Sequence, residues 1–272
     1  MKQKTVWITG ASSGLGLAVA QAFIDKGWYV IAGARSFQEQ IQPGFARLNL
    51  DVTSEESCAW FVRRALELSS SVDALVCGAA VLVLGSCERT SDQEYRRVWE
   101  TNFLGAARMV SAALPYMRRQ REGRILLFSS INGLLGIPFQ SAYTASKHAL
   151  EGYAECLSME TKPYGIQVCL IEPGDHRGGS DRTRLHARME DEQSPYRREY
   201  DKACRVIHHD ESGGLKPEAL GQKVVKNAER KRMRFRLRVA KADQHLAVWL
   251  HTLLPAGLNQ RILRDYYGKT IK

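Results

Sequence analysis

Paired cysteines are absent from the 272 residues: Cys58, Cys77, Cys87, Cys156, Cys169 and Cys204 stand apart, and no Cys-x-x-Cys occurs. That excludes a zinc ribbon and a disulfide framework, and it leaves reduced thiols of the kind that persist in a cytoplasm. A secretory h-region is missing as well, because the apolar run after Lys4 is broken at Gly10, so a cytoplasmic protein is expected. Long hydrophobic runs are also lacking. The most apolar late stretch, Leu246 to Leu258, contains His251 and Pro255 and falls short of the roughly 20 residues that a bilayer-spanning helix needs. No integral membrane segment is therefore expected. There are no internal repeats or low-complexity tracts.

The composition present is that of an ordinary globular chain, 44% hydrophobic and 25% charged, and the length suits one α/β unit of roughly 250 residues. Thirty-nine Lys+Arg against 29 Asp+Glu give a net charge of +10. Such an excess fits nucleic acid, an anionic surface, an anionic cofactor or no partner at all.

Periodicity predicts alternating strands and helices. Strands are expected at Thr5–Thr9, Trp28–Ala32, Phe45–Val52, Val72–Cys77, Arg124–Phe128 and Ile166–Ile171. Helices are expected from Leu15 to Gly27, Glu55 to Leu68, Asp92 to Met117 and Ser141 to Thr161. Alternation of this kind specifies a doubly wound parallel sheet of about seven strands with helices on both faces. From Asp175 to Glu211, eight Lys/Arg, nine Asp/Glu and four of the seven His crowd together without a clean apolar stripe, which reads as an irregular or loosely helical insertion. A helix at Pro217–Ala228, a strand at Met233–Val239 and one or two helices within Asp243–Tyr267 follow.

The first strand runs into Thr9-Gly10-Ala11-Ser12-Ser13-Gly14-Leu15-Gly16, three glycines between a strand and a helix. Glycine permits the tight turn and lets backbone approach a pyrophosphate, while the helix N-terminus offers unpaired N–H groups and partial positive charge. The second strand ends in Ala34-Arg35-Ser36 with no acid anywhere from Trp28 to Ser36. A carboxylate there would hold a free ribose and repel a 2′-phosphate, whereas a guanidinium takes a phosphate bidentately. Arg35, helped by Ser12, Ser13 or Ser36, therefore favours NADP(H) over NAD(H), against the plainer reading of a solvated loop arginine.

Tyr143 and Lys147 lie four residues apart in a helical pattern, so both emerge on one face. A tyrosine needs about three units of downward shift to work near neutrality, and an adjacent ammonium supplies one to three of them. Tyr-x-x-x-Lys alone is common on helix surfaces. Here Ser130 stands thirteen residues upstream at the carboxyl end of a strand, where parallel sheets place binding groups.

The Gly-x-x-x-Gly-x-Gly turn at the N-terminus, Asn102, Ser130, Tyr143 and Lys147 in that order resemble the short-chain dehydrogenase/reductase (SDR) family. The resemblance covers about residues 4 to 175 and implies a Rossmann-type fold. It also implies an oxidoreductase that moves hydride between nicotinamide C4 and a carbonyl or secondary alcohol, and a homodimer or homotetramer. By the same resemblance, Ser130 orients the substrate oxygen and Tyr143 is the general acid/base. Lys147 lowers the Tyr143 pKa and binds ribose hydroxyls, and Asn102 sits in a proton relay. Asp51-Val52 lies against adenine, Ala79 follows the fourth strand beside the cofactor, and Pro173-Gly174 borders the nicotinamide. One Rossmann-type catalytic domain over 1–272 is expected, with a substrate lid at about 176–215 and a helical extension at about 243–272.

Two positions depart from the family pattern. Cys77-Gly78-Ala79-Ala80 replaces the usual Asn-Asn-Ala-Gly, and Gly178 stands where a threonine usually contacts the carboxamide, with Ser180 or Arg177 as candidate substitutes. An alternative on the same fold is a non-catalytic NADP(H)-binding sensor or scaffold, which damage to the catalytic set would favour. None is seen. His208-His209-Asp210 lacks a third ligand at sensible spacing, so no metal is expected.

Residues Lys216 to Lys241 hold ten Lys/Arg and two Asp/Glu, leaving +2 for the rest of the chain. Within them Arg234-Phe235-Arg236-Leu237-Arg238-Val239 alternates strictly, as for an edge strand whose charges discourage sheet-to-sheet pairing. The charge thus has a local explanation, and no nucleic-acid partner is expected.

Overall fold

The computed structural model describes residues 3–178 and 184–270. In chain order its first elements are β1 (Thr5–Thr9), α1 (Gly14–Asp25), β2 (Tyr29–Ala34), β3 (Gln40–Gln42), β4 (Phe45–Asn49), α2 (Glu55–Leu68), β5 (Ala74–Cys77) and β6 (Leu82–Leu84). Next come α3 (Asp92–Trp99), a π-helical turn (Glu100–Leu104), α4 (Gly105–Gln120), β7 (Gly123–Phe128), α5 (Ser141–Thr161) and β8 (Ile166–Pro173). The last are β9 (Arg184–His186), α6 (Arg197–Ser212), α7 (Pro217–Ala228), β10 (Arg236–Val239), α8 (Ala242–Leu253) and α9 (Ala256–Tyr267).

The main sheet has eight strands in the order β10-β8-β7-β5-β1-β2-β4-β3, all parallel except β3. The expected doubly wound sheet is present, with one strand more than the sequence suggested. The extra strand is the short antiparallel β3, whose three residues are all exposed and carry too little apolar signal to be seen in sequence. Strand β1 lies at the centre and the chain winds outward first to one side and then to the other. The crevice outside the strand ends therefore opens between β1 and β5, the place where open α/β sheets bind ligands.

Alternate residues of each strand feed opposite layers. Trp7, Ile31, Leu75 and Ile125 pack against α2, α4 and α5, while Val6, Ile8, Val30 and Leu126 pack against α1 and α7. Burial on both faces explains why these strands read as continuous apolar runs.

Three expectations are corrected. The predicted continuous helix from Asp92 to Met117 is divided by the π-helical turn at Glu100–Leu104, because buried Asn102 turns inward to bond Val81. The stretch 175–211, expected to be irregular or loosely helical, carries a regular helix toward its end: α6 is sixteen residues long, with Tyr200, Ala203, Val206 and Ile207 buried. That i, i+3, i+6, i+7 spacing was in the sequence and was obscured by the density of charge. The predicted strand at Met233–Val239 is paired only over Arg236–Val239. Among the described residues no helix is long and apolar enough to cross a membrane.

Candidate active site

Six strands end at one cleft. From β1 come Gly10, Ser12, Ser13, Leu15 and Gly16; from β2, Arg35; from the segment after β4, Asp51 and Val52; after β5, Ala79. Ser130 follows β7, and Pro173 and Gly174 close β8, while Tyr143 and Lys147 project from the first turns of α5. Of the residues predicted from sequence, Gly14, Ser36 and Asn102 do not line the cleft.

The turn after β1 is built for close approach. Gly10 has φ +71°, and a Cβ there would lie 2.6 Å from Ala79 N; at Gly16 it would lie 2.2 Å from Gly10 O. Both positions are closed to any side chain, so the backbone lines the cleft directly. Residue Ser13 is the N-cap of α1 without a side-chain capping bond, which leaves first-turn N–H groups for an anion. The donor set thus fits a dinucleotide pyrophosphate.

At the open end Arg35 is exposed, and its guanidinium has no ion-pair partner among the described residues. Asp51 is held by Thr53, whose N–H and hydroxyl donate to Oδ1 at 3.0 and 2.8 Å. The departure at Cys77-Gly78-Ala79-Ala80 is compensated by backbone. The N–H groups of Gly78 and Ala79 donate to Thr9 Oγ1 at 3.1 and 3.2 Å, so β5 is pinned to β1 without amide side chains.

At the floor, Ser130 and Tyr143 line the same part of the cleft; Ser130 Oγ accepts from Asn132 N at 3.2 Å and donates to Asn132 Oδ1 at 3.3 Å. Asn132 in turn donates to Gln140 at 2.9 Å, which fixes the loop carrying Ser130. Burial pushes Tyr143 up to about 12, with Ser130 opposing and Glu211 reinforcing the shift. Lys147 is 2% exposed; its Nζ donates to Phe128 O at 2.6 Å and lies 5.4 Å from the Tyr143 ring centre. Burial pulls Lys147 down to about 7, with Glu151 holding it up. The expectation that an ammonium would bring Tyr143 toward neutrality therefore does not describe the protein alone. Desolvation outweighs it, and Tyr143 keeps its proton at physiological pH.

Asn102 stands behind this array. Its side chain accepts from Val81 N at 2.8 Å and donates to Val81 O at 2.9 Å and to Ser146 Oγ at 3.0 Å. The Ser146 hydroxyl donates to Tyr143 O at 2.7 Å. Asn102 thus ties α5, and Tyr143 with it, to the segment after β5.

Several lining residues had no sequence signal. Leu82, Ile137, Ile207 and Tyr267 form an apolar wall beyond Tyr143, while Asp175, Asp210 and Glu211 form a polar edge. They come from five distant parts of the chain, so no local pattern announces them. Of the two proposed stand-ins for the missing threonine, Ser180 lies outside the described residues. Arg177 does not border the cleft, and its Nε donates to Gly214 O at 3.1 Å. His176 does border it, bonded from Nδ1 to Gly174 O at 2.9 Å, with burial lowering its pKa below the ordinary imidazole value. Among the described residues no three His, Cys, Asp or Glu side chains are grouped to hold a metal ion.

Residues 4–187 match the family model described as short chain dehydrogenase. The chain is 35% identical over 269 residues to a 3-ketodihydrosphingosine reductase of Bacteroides thetaiotaomicron, covering 98% of this chain and 99% of the relative. It is 36% identical over 189 residues to human 17-beta-hydroxysteroid dehydrogenase type 1, covering 64% of this chain and 57% of that one. A solved short-chain dehydrogenase from Streptomyces avermitilis superposes with a TM-score of 0.80 at 28% identity, over 97% of both chains.

Proposed function

The chain belongs to the short-chain dehydrogenase family and is an NAD(P)-dependent oxidoreductase; on that premise we propose that it reduces a ketone carried on an apolar chain, using NADPH. Residues 1–272 then form one catalytic domain, assembled as a homo-oligomer in a cytoplasm. The observation that carries the reading is the Ser130–Tyr143–Lys147 array at the floor of a cleft whose other end is a glycine cradle.

Bound nicotinamide would deliver hydride to the carbonyl carbon, or accept it in reverse. The chain's own residues handle the oxygen. Ser130 donates to the carbonyl oxygen and fixes its position. Tyr143, protonated at neutral pH because burial raises its pKa to about 12, gives its proton to that oxygen as charge develops. Lys147 stabilises the phenolate so formed and holds ribose hydroxyls, while Asn102 positions α5 through Ser146. Gly10, Ser12, Ser13, Leu15 and Gly16 would receive the pyrophosphate, Asp51 and Val52 the adenine, and Ala79, Pro173 and Gly174 the nicotinamide side.

Arg35 supports the NADP(H) preference: among the described residues it is a cation without an ion-pair partner, at the end of a strand that carries no acid. Leu82, Ile137, Ile207 and Tyr267 support an apolar substrate, a class that includes the ketone named for the Bacteroides relative. NADPH oxidation should be followed over long-chain and short-chain ketones. Tyr143→Phe is expected to lose at least about a hundredfold, the usual weight of positioned general acid catalysis, and Arg35→Ala to lose affinity for NADPH but not NADH. Wild-type turnover of no ketone on a broad panel would remove the proposal, and an unchanged NADPH/NADH ratio would remove Arg35 from it.

A further inference from the structure

Large apolar side chains are not exposed evenly over this molecule. Leu246, Trp249 and Leu253 on α8 are 53, 57 and 60% exposed, and Leu258 and Ile262 on α9 are 45 and 46% exposed. Tyr266 continues the second row. On α8 the spacing is i, i+3, i+7, and on α9 it is i, i+4, i+8, so each helix turns one apolar stripe to solvent. The opposite faces anchor the hairpin: Val248, Leu263 and Tyr267 pack against Ile131, Leu135 and Ile137. Contiguous apolar surface of this kind is uncommon on a monomer unless it meets another phase or partner.

We propose that the α8–α9 hairpin docks on an anionic lipid bilayer, lying in the interface with its two stripes among the acyl chains. Three features of the structure favour a bilayer over a protein partner. Arg261, Arg264 and Lys269 are exposed beside the α9 stripe with Asp265 as the single acid of that helix, giving a basic border that complements anionic headgroups. Trp249 has the amphipathic ring that settles at the headgroup level, whereas the Tyr266 hydroxyl donates to Asp210 at 2.8 Å. The hairpin is also continuous with the catalytic cleft, because Tyr267, adjacent to the exposed row, lines the cleft and packs in the same apolar cluster as Tyr143, Leu82 and Ile207. An apolar ketone leaving the bilayer at this point would enter the cleft without crossing water. That delivery step rests on the function proposed above; the docking itself does not.

The full chain should be sedimented with vesicles of phosphatidylcholine alone and of phosphatidylcholine with phosphatidylglycerol. Binding is expected to the mixed vesicles, weakening as salt rises, with a blue shift of tryptophan emission that disappears in Trp249→Phe. The triple variant Leu246→Ser, Leu253→Ser, Ile262→Ser removes surface contacts only. It should keep its melting temperature and its turnover of a short water-soluble ketone, yet bind mixed vesicles about tenfold less or weaker. Turnover of a long-chain ketone embedded in those vesicles should fall with it. Absence of wild-type binding to either vesicle overturns the proposal, as does equal binding by the triple variant. It is also overturned if size-exclusion shows that the variant dissolves an oligomer of the wild type while vesicle binding is absent, since the face then joins two copies of this chain. A wild type that binds vesicles but reduces neither ketone leaves the docking in place and removes the enzymatic reading instead.

Discussion

Lys147 shows how a single buried cation sets the working range of the proposed reaction. Its ordinary value of 10.5 is pulled down to about 7 by burial, against a carboxylate at Glu151 that holds it up. Below about pH 7 the ammonium is present and stabilises the Tyr143 phenolate formed during reduction; above it, Lys147 is neutral and that support is lost. Tyr143 itself keeps its proton to about 12, so it does not set the upper limit. In a pH profile, kcat/KM for reduction is therefore expected to be level below about 7 and to decline above. Glu151→Gln should move the midpoint to lower pH, because removing the carboxylate lets burial act unopposed. A midpoint that stays near the value of a solvated lysine would exclude this account. The Tyr143–Lys147 spacing was legible in sequence because both residues share one helix. The direction of their shifts was not, because desolvation depends on what the rest of the fold stacks over them.

At the scale of elements, β10 carries the largest revision. Its alternating arginines had been read as repulsive edge charges, and β10 is indeed the sheet edge. Yet Arg236 and Arg238 turn inward upon Glu172, which is 0% exposed, at 2.8 and 2.9 Å. Arg236 also pairs with Glu151 and, at 3.0 Å, with Glu155. Part of the basic excess in residues 216–241 is thus spent compensating buried carboxylates beneath the site. Removing one partner of a buried pair costs about 3–5 kcal/mol. Arg236→Ala is expected to lose about 3 kcal/mol or more in urea unfolding, and Glu172→Gln in that background to recover part of it. A loss within about 0.5 kcal/mol, as for an ordinary surface change, would restore the repulsive-edge reading. Helix α6 makes the same point in reverse: its apolar spacing was present, but seventeen charges in the surrounding stretch masked a helix whose buried face packs against β6, Phe139, Tyr143 and α9.

For the whole molecule, the cleft forms because every parallel strand delivers its carboxyl end to one side while α5, α6 and α9 close the other. A ligand held there bridges many elements, so binding should stabilise the entire fold. At one hundred times its Kd, NADPH is expected to add about 2.7 kcal/mol to unfolding, measured as a rise in Tm. Gly10→Ala should abolish that rise, since its Cβ would meet Ala79 backbone at 2.6 Å. A rise equal to wild type in Gly10→Ala would place the cofactor elsewhere. The sequence by itself determined the alternation of strands and helices, the glycine turn and the order Asn102, Ser130, Tyr143, Lys147. Each of these is written in local spacing or in residues that one strand end or one helix face must present. Only the tertiary structure decided the apolar wall, the pairing of β10 with Glu172 and the outward stripes of α8 and α9. Those depend on which distant segments share a surface, and burial, not spacing, fixes the charge and exposure of what they bring.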